Sequence, residues 1–219
     1  MSALLLTNYY LVYKSLWMYI LIALGAAGII LGFGGDAMHQ FIPLLTMLLI
    51  AMPALEVIKQ EGKSGYDKFV ITFPIRRSQV VRSHYLFYFL VILLGALLIT
   101  GIFTGYSLLT EASFGETGVQ IGLAVCLIFV MGSFVYPLLY LLGPEKSDGI
   151  LIIAAGIALV SSFGIEKLLV SLISKQTTIV NFEYIDTNVL FISGALFIGI
   201  ILFILSFFFS VAIYSRKEF

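Results

Sequence analysis

Long apolar blocks alternate with short polar intervals along the whole chain, and the blocks approach the length that crosses a bilayer. A membrane-spanning helix needs roughly 20 predominantly apolar residues. On this pattern six spans are predicted, at about residues 15–33, 38–55, 85–109, 119–142, 150–165 and 189–214. The second is short and contains Pro43 and Pro53, which kink a helix or mark its ends. The prediction is an all-α membrane protein with a single transmembrane domain over residues 1–219.

Two further stretches are apolar but are not predicted to span the membrane. Residues 2–14 are rich in tyrosine and stop at Lys14, which favours a helix that lies in the membrane interface and leads into the first span. Residues 166–188 are too apolar for a free loop, and polar residues interrupt them too often for a span. We therefore expect the first stretch to lie at the membrane surface, and the residues alone leave the conformation of the second open.

Glycines recur at near-helical spacing inside two of the predicted spans. Small residues on one face of a membrane helix let a neighbouring helix approach closely. Close helix contacts are therefore predicted at Gly25, Gly28, Gly32, Gly101 and Gly105.

The composition fits this interpretation, because 61% of the residues are hydrophobic and only 11% are charged. A soluble domain has about 25% charged residues. The predicted spans contain no Asp, Glu, Lys or Arg, and the two histidines, His39 and His84, lie near span ends. We predict His84 to sit at the interface. No metal-ligand spacing and no catalytic set occurs at membrane depth, so we expect neither an enzyme nor a metal or cofactor site in this chain.

The distribution of Lys and Arg predicts the orientation. With a cytoplasmic N-terminus, the inner segments hold ten of the twelve, and only Lys167 and Lys175 lie outside. Short cytoplasmic loops carry the excess of positive residues in membrane proteins. Both termini and the polar interval 56–84 are therefore predicted to be cytoplasmic.

The interval 56–84 is the longest polar stretch and predicts two short helices around a proline elbow. Ser64 is a candidate N-cap, with Asp67 in the first turn of the helix that follows. The apolar residues Tyr66, Phe69, Val70 and Phe73 fall at i, i+3, i+4 and i+7, Pro74 ends this helix, and Ser78 offers a second N-cap. Such an element can dock on a soluble partner. The alternative is that its basic residues only fix the topology and contact anionic lipid.

Three stretches resemble the permease subunits of type-2 ABC exporters. The first is the interval between spans two and three, with the pattern Glu61-x-x-x-Gly65…Pro74-Ile75-x-Arg77-x-x-Val80. The end of span four, Tyr136-Pro137-Leu138-Leu139-Tyr140-x-x-Gly143-x-Glu145-Lys146, and the basic tail 214–219 are similar to a small-permease subgroup. That subgroup includes the staphylococcal exporters of phenol-soluble modulins.

The resemblance implies a permease in the bacterial cell membrane that acts as a homo- or heterodimer with separate ATPase subunits, which bind ATP and Mg²⁺. Residues 166–188 would then form the external re-entrant hairpin. The interval 56–84 would hold the coupling helix that seats in the ATPase. The residues predicted to form this coupling surface are Glu56, Glu61, Gly65, Tyr66, Phe69, Phe73, Pro74, Arg76 and Arg77.

The uncharged spans also bear on the substrate. A polar solute would leave its polar groups unpaired in such an interior, at several kcal/mol each. An amphipathic or hydrophobic compound avoids this cost, so export of such compounds is predicted, in particular of membrane-active peptides such as antimicrobial peptides. The alternative function is a standalone membrane immunity or scaffold protein without an ATPase partner.

Overall fold

The computed structural model describes residues 2–70, 76–110, 115–177 and 187–216, and regular structure in these residues is helical throughout. The first five helices are α1 (Ser2–Phe33), α2 (Asp36–His39), α3 (Ile42–Leu55), α4 (Val57–Ser64) and α5 (Tyr66–Val70). They are followed by α6 (Arg77–Thr110), α7 (Gly115–Leu142), a 3₁₀ turn (Pro144–Lys146), α8 (Ser147–Thr177) and α9 (Thr187–Ser215).

Five stretches of the described chain are long and apolar enough to cross a membrane: Ala3–Phe33, Ile42–Ser64, Arg77–Leu109, Gly118–Leu142 and Phe191–Ser215. They correspond to the predicted spans one to four and six. The predicted fifth span lies within α8, which is not among these five. An all-helical membrane protein is therefore confirmed, and the span at residues 150–165, with the count of six, stays a prediction.

The boundary predicted between an interfacial helix and the first span has no counterpart, because α1 runs without a break from Ser2 to Phe33. Its 32 residues extend over about 48 Å at 1.5 Å per residue. The hydrocarbon core is only about 30 Å thick. The helix is thus long enough to span and to leave a turn or more outside, but a separate interfacial helix is not confirmed.

The predicted interval 56–84 is mostly helical, and its caps differ from the prediction. Ser64 is the last residue of α4, and its hydroxyl donates to the carbonyl oxygen of Glu61 at 3.1 Å instead of capping α5. Gly65 ends α4 with φ +71, a left-handed conformation that glycine adopts without strain. The next long helix starts at Arg77 rather than after Ser78, since the backbone N–H of Arg76 donates to the Gln79 side chain at 3.3 Å.

The end predicted for the fifth span, near Ile165, also has no counterpart. Helix α8 continues from Ser147 to Thr177. Of the predicted re-entrant segment 166–188, the first twelve residues therefore belong to α8. Residues 178–186 lie outside the described chain, and the re-entrant conformation stays a prediction.

The long helices run alternately up and down, which gives the bundle two ends. One end gathers α4, α5, the start of α6, the end of α7, the 3₁₀ turn, the start of α8 and the end of α9; we call it the α4 end. The opposite end, the α2 end, includes α2 and the far end of α6, where the rings of His39 and Tyr106 lie 5.7 Å apart. Most of the described basic residues lie at the α4 end.

Helix α7 is the central element, with extensive packing against α9, α8 and α3. The close glycine contacts lie here and not at the predicted positions. A Cβ on Gly132 would fall 2.3 Å from the ring of Tyr88, whereas a Cβ on Gly101 or Gly105 would meet nothing within 4 Å. The same holds for Gly25, Gly28 and Gly32. The glycine prediction is therefore wrong for contacts among the residues that the structure describes.

Candidate functional site

A buried polar cluster joins α4 to two membrane helices at the α4 end. Glu61 and His84 are 4% and 1% exposed. Nε2 of His84 lies 3.0 Å from Oε1 of Glu61, and its Nδ1 lies 2.6 Å from the hydroxyl of Tyr140. Because Glu61 is on α4, His84 on α6 and Tyr140 on α7, the imidazole ring bridges three helices.

The hydrogen bonds determine which nitrogen of the His84 ring donates and which accepts. The carboxylate can only accept, so Nε2–H of His84 donates to Glu61. In the neutral ring, Nδ1 then accepts from the hydroxyl of Tyr140. Both ring nitrogens and the carboxylate are satisfied in this arrangement, which a buried polar group requires. The ring of Tyr140 also packs 5.1 Å from that of Tyr214, so α9 supports the cluster.

A second link joins α4 to the start of α8. The ammonium of Lys59 forms an ion pair with the carboxylate of Asp148. Its hydrogen bond to that carboxylate, together with its charge, holds the pKa of Asp148 below its ordinary value. Asp148 stands in the first turn of α8, where a negative charge also complements the helix dipole. The carboxylate of Asp148 is largely open to solvent, although the Lys59 side chain is mostly covered, so the pair guides the position of α4 more than it stabilises the fold.

Helix α4 also contacts the turn between α7 and α8 closely. A Cβ on Gly62 would lie 2.6 Å from Cγ of Pro144. Gly143, just before this proline, has φ +89, a conformation in which glycine avoids the strain of other residues. The two glycines allow α4 and the turn to approach within van der Waals distance. Three different contacts therefore fix the position of α4.

The structure divides the predicted coupling residues into an inner and an outer group. Glu61 is buried in the cluster, and Tyr66 packs partly buried against the main core. The guanidinium of Arg77 donates to the carbonyl oxygen of Ser215 at 3.0 Å, which places a cation at the C-terminus of α9. These three side chains hold helices together within the chain.

The outer group faces solvent. Phe69 is 56% exposed, although its neighbour Val70 is buried, so the predicted apolar face of α5 is split between the core and the surface. Arg76 and Gly65 are exposed, and Glu56 is partly exposed at the junction of α3 and α4. Phe73 and Pro74 lie outside the described residues. Phe69 is thus the one large apolar side chain that the described part of the segment offers to a partner.

Sequence reasoning missed the partners of Glu61. It placed His84 at the interface, whereas the ring is almost fully buried. The positions of Glu61 and His84 next to apolar blocks were a signal that these polar side chains could be buried. Their pairing could not be predicted, because no local pattern connects residues 23 positions apart. Among the described residues, no group of three or more His, Cys, Asp or Glu side chains could hold a metal ion.

The architecture is that of a helical membrane protein whose spans meet a polar, helical element at one end. The family described as ABC-2 family transporter protein matches residues 3–215. The chain therefore belongs to the ABC-2 family of transporter proteins. Membership identifies a multi-pass membrane component of an ABC transporter and implies, in general terms, an ABC ATPase as its partner. No curated protein matches the sequence.

Proposed function

We propose that the chain is the permease subunit of an ATP-driven exporter, and that α4 and α5 couple it to a separate ATPase that binds ATP and Mg²⁺. The buried cluster of Glu61, His84 and Tyr140 carries the proposal. A segment that only fixed topology would need surface charges, not a carboxylate tied to two membrane helices. Family membership supports the same conclusion.

The cluster explains how motion would pass from the partner to the membrane. A displacement of α4 moves the carboxylate of Glu61, and the imidazole transfers that movement to α6 and α7. The Lys59–Asp148 pair and the Gly62–Pro144 contact add a path to α8. Packed elements with discrete contacts shift as units rather than deform continuously. Glu61 and Arg77 thus act inside the permease, and Phe69, Arg76 and Glu56 form the surface that meets the ATPase.

Phe69→Ala tests the contact. Burial of a phenylalanine stabilises an interface by roughly 1.5–3 kcal/mol, so its loss should weaken ATPase binding about ten- to a hundredfold. The permease would be purified from its native membrane in mild detergent, and the ATPase retained per permease would be quantified. Phe41→Ala is the matched control, because Phe41 is 58% exposed but lies at the α2 end.

Equal ATPase retention by Phe69→Ala, Phe41→Ala and the wild type would contradict the docking role of α5. Absence of any ATPase from the wild-type preparation would favour the standalone immunity or scaffold protein. Retention that falls only with Phe69→Ala supports coupling through this surface.

The proposed orientation puts the α4 end in the cytoplasm of a bacterial cell, with both termini on that side. The concentration of Lys and Arg at this end supports it. Gly35→Cys should react with an impermeant thiol reagent added to intact cells, and Lys63→Cys should not. The native Cys126 is buried and gives no background. Reaction at position 63 alone would reverse the orientation.

For the substrate we propose an amphipathic, membrane-active peptide, moved by a dimer of two such permeases. The support is the apolar character of the spans, and the resemblance to modulin exporters agrees with it. In the reconstituted complex, amphipathic helical peptides should stimulate ATP hydrolysis, while sugars and free amino acids should not. Stimulation by a sugar alone would contradict the proposal.

A further inference from the structure

A groove opens on the side of the bundle where α6, α7 and α9 meet. Its volume is about 300 Å³, and its wall is almost wholly apolar. The main lining side chains are Leu86, Phe89, Phe129, Ile200, Phe203 and Ile204. The coupling proposal uses none of them.

Hydrogen bonds between the three helices build the inner wall of this groove. The hydroxyl of Tyr85 lies 2.7 Å from the hydroxyls of both Ser206 and Ser210, and Ser206 donates to the carbonyl oxygen of Ser133 at 2.7 Å. Because the Ser206 hydroxyl donates its one proton to Ser133, its oxygen accepts the hydrogen bond from the Tyr85 hydroxyl. The oxygen of Tyr85 in turn accepts a hydrogen bond from the hydroxyl of Ser210. This directed chain connects α9, α6 and α7, and all three side-chain hydroxyls are satisfied. The groove is therefore a formed feature of the fold.

A single charged side chain, Arg82, lies in the lining, toward the α4 end. It is exposed, and within the described chain it makes no hydrogen bond or ion pair. Arg77, one and a half turns earlier on α6, is instead engaged with the C-terminus of α9. A long arginine side chain can lie along apolar surface and extend its guanidinium to the membrane interface. The groove thus combines an apolar trough with one cation at its mouth.

The size of the groove limits what can fill it. An α-helix with side chains is about 10–12 Å across and rises about 5.4 Å per turn, so one turn occupies roughly 400–600 Å³. A groove of about 300 Å³ cannot enclose even one turn of a peptide helix. A linear hydrocarbon chain is thinner than a helix and can lie with part of its length in the groove, and the guanidinium at the mouth attracts an anionic headgroup. Arginine pairs with phosphate through two parallel hydrogen bonds.

We propose that this groove binds one anionic phospholipid, with its phosphate on Arg82 and an acyl chain between α6 and α9. The site is separate from the ATPase contact and does not depend on the exporter function. It differs from general attraction of basic residues to an anionic membrane, because it requires one particular arginine and one particular apolar wall.

Arg82→Gln tests the headgroup contact, and Arg216→Gln is its control. Arg216 is also exposed at the α4 end but does not line the groove. The purified full-length protein would be incubated with phosphatidylglycerol or phosphatidylcholine of equal chain length, and bound lipid would be counted by native mass spectrometry. Arg82→Gln should lower the preference for phosphatidylglycerol by about fivefold, the contribution of one basic residue near an anionic surface. Equal loss in both variants would show general charge attraction and overturn the site.

Ile204→Trp tests the acyl-chain contact by filling the groove. Ile201→Trp is the control, since Ile201 is also lipid-accessible on α9 but is not part of the lining. Binding of both lipids should fall in Ile204→Trp and stay unchanged in Ile201→Trp. Unchanged lipid binding in Ile204→Trp would overturn the proposal. So would a change of oligomeric state, which would assign the groove to a second permease, or displacement of the lipid by an amphipathic helical peptide.

Discussion

At the α4 end, helices α4, α6 and α7 meet through a carboxylate, an imidazole and a phenol. One to two turns nearer the middle of the bundle, α6 and α7 meet through rings and a glycine. In the second region Tyr88 is fully buried, packs against Gly132 and donates its hydroxyl proton to the carbonyl oxygen of Ile128 at 2.7 Å. The ring centroids of Tyr136 and Phe203 lie 5.5 and 5.7 Å from that of Tyr88, and the ring of Tyr85 packs against both at 4.8 and 4.9 Å.

The two regions differ in the kind of contact that joins their helices. Ring packing against a glycine depends on shape, and it holds α6 and α7 at one separation. Hydrogen bonds among a carboxylate, an imidazole and a phenol depend on direction, and they link the short helix α4 to two long ones. Directional contacts of this kind suit a region that transmits motion, whereas shape-dependent packing suits a region that keeps the bundle together.

The largest effect is expected for His84→Ala. The substitution leaves the carboxylate of Glu61 buried without its hydrogen-bond donor, and an unsatisfied buried charged group costs about 3 kcal/mol or more. The free energy of unfolding in detergent should fall by this amount. His39→Ala, at the α2 end, should cost less than about 1 kcal/mol, because it breaks no buried pair.

The double variant Glu61→Ala with His84→Ala gives a sharper measure of the same cluster. Residues in one hydrogen-bond network show coupling of about 0.5–3 kcal/mol, so the double variant should cost less than the sum of the single ones. Strict additivity would show that the two side chains stabilise the fold independently, and the α4 end would then resemble the middle of the bundle.

A smaller effect is expected for Gly132→Ala in the middle of the bundle. The added methyl group overlaps the ring of Tyr88, and overpacking of this kind costs about 1–3 kcal/mol. Gly101→Ala is the control, since its methyl group meets nothing within 4 Å and should be neutral or slightly stabilising. Thermal unfolding in one detergent compares the two. Equal melting temperatures would argue against close packing of α6 on α7 at this point.

The smallest effect is expected for Asp148→Asn, because the carboxylate that pairs with Lys59 is largely exposed to solvent. The pKa of Asp148 is lowered in the folded protein, so the pair stabilises it above the ordinary pKa of an aspartate, about 4. This contribution is lost as the pH falls through the lowered pKa. The small difference in melting temperature between wild type and Asp148→Asn should therefore be present at neutral pH and disappear once the pH is below the lowered pKa of Asp148. A difference that persists at the lower pH would have another origin.

Local sequence pattern was sufficient for the long helices that carry one uninterrupted apolar block. The predicted spans at residues 119–142 and 189–214 agree closely with α7 and α9. The pattern also predicted a short helix beginning at Tyr66. It was less informative where polar residues continue a helix, as in α4 and the start of α6, because a backbone helix does not end where the membrane does. For the same reason, α1 continues through Lys14 without the predicted break between the interfacial helix and the first span.

The sequence by itself determined that this chain is a helical membrane protein with a basic, helical segment at one end, because hydrophobic length, periodicity and charge are local properties. Only the tertiary structure decided which residues meet. Glu61 finds His84 and Tyr140, and Arg77 finds Ser215 across 138 positions. It also decided that a ring, that of Tyr88, packs against Gly132, whereas nothing packs against Gly101 among the described residues. Apolar helices of similar composition can pack in many registers, and the choice among them depends on the shapes and hydrogen bonds of side chains far apart in the chain.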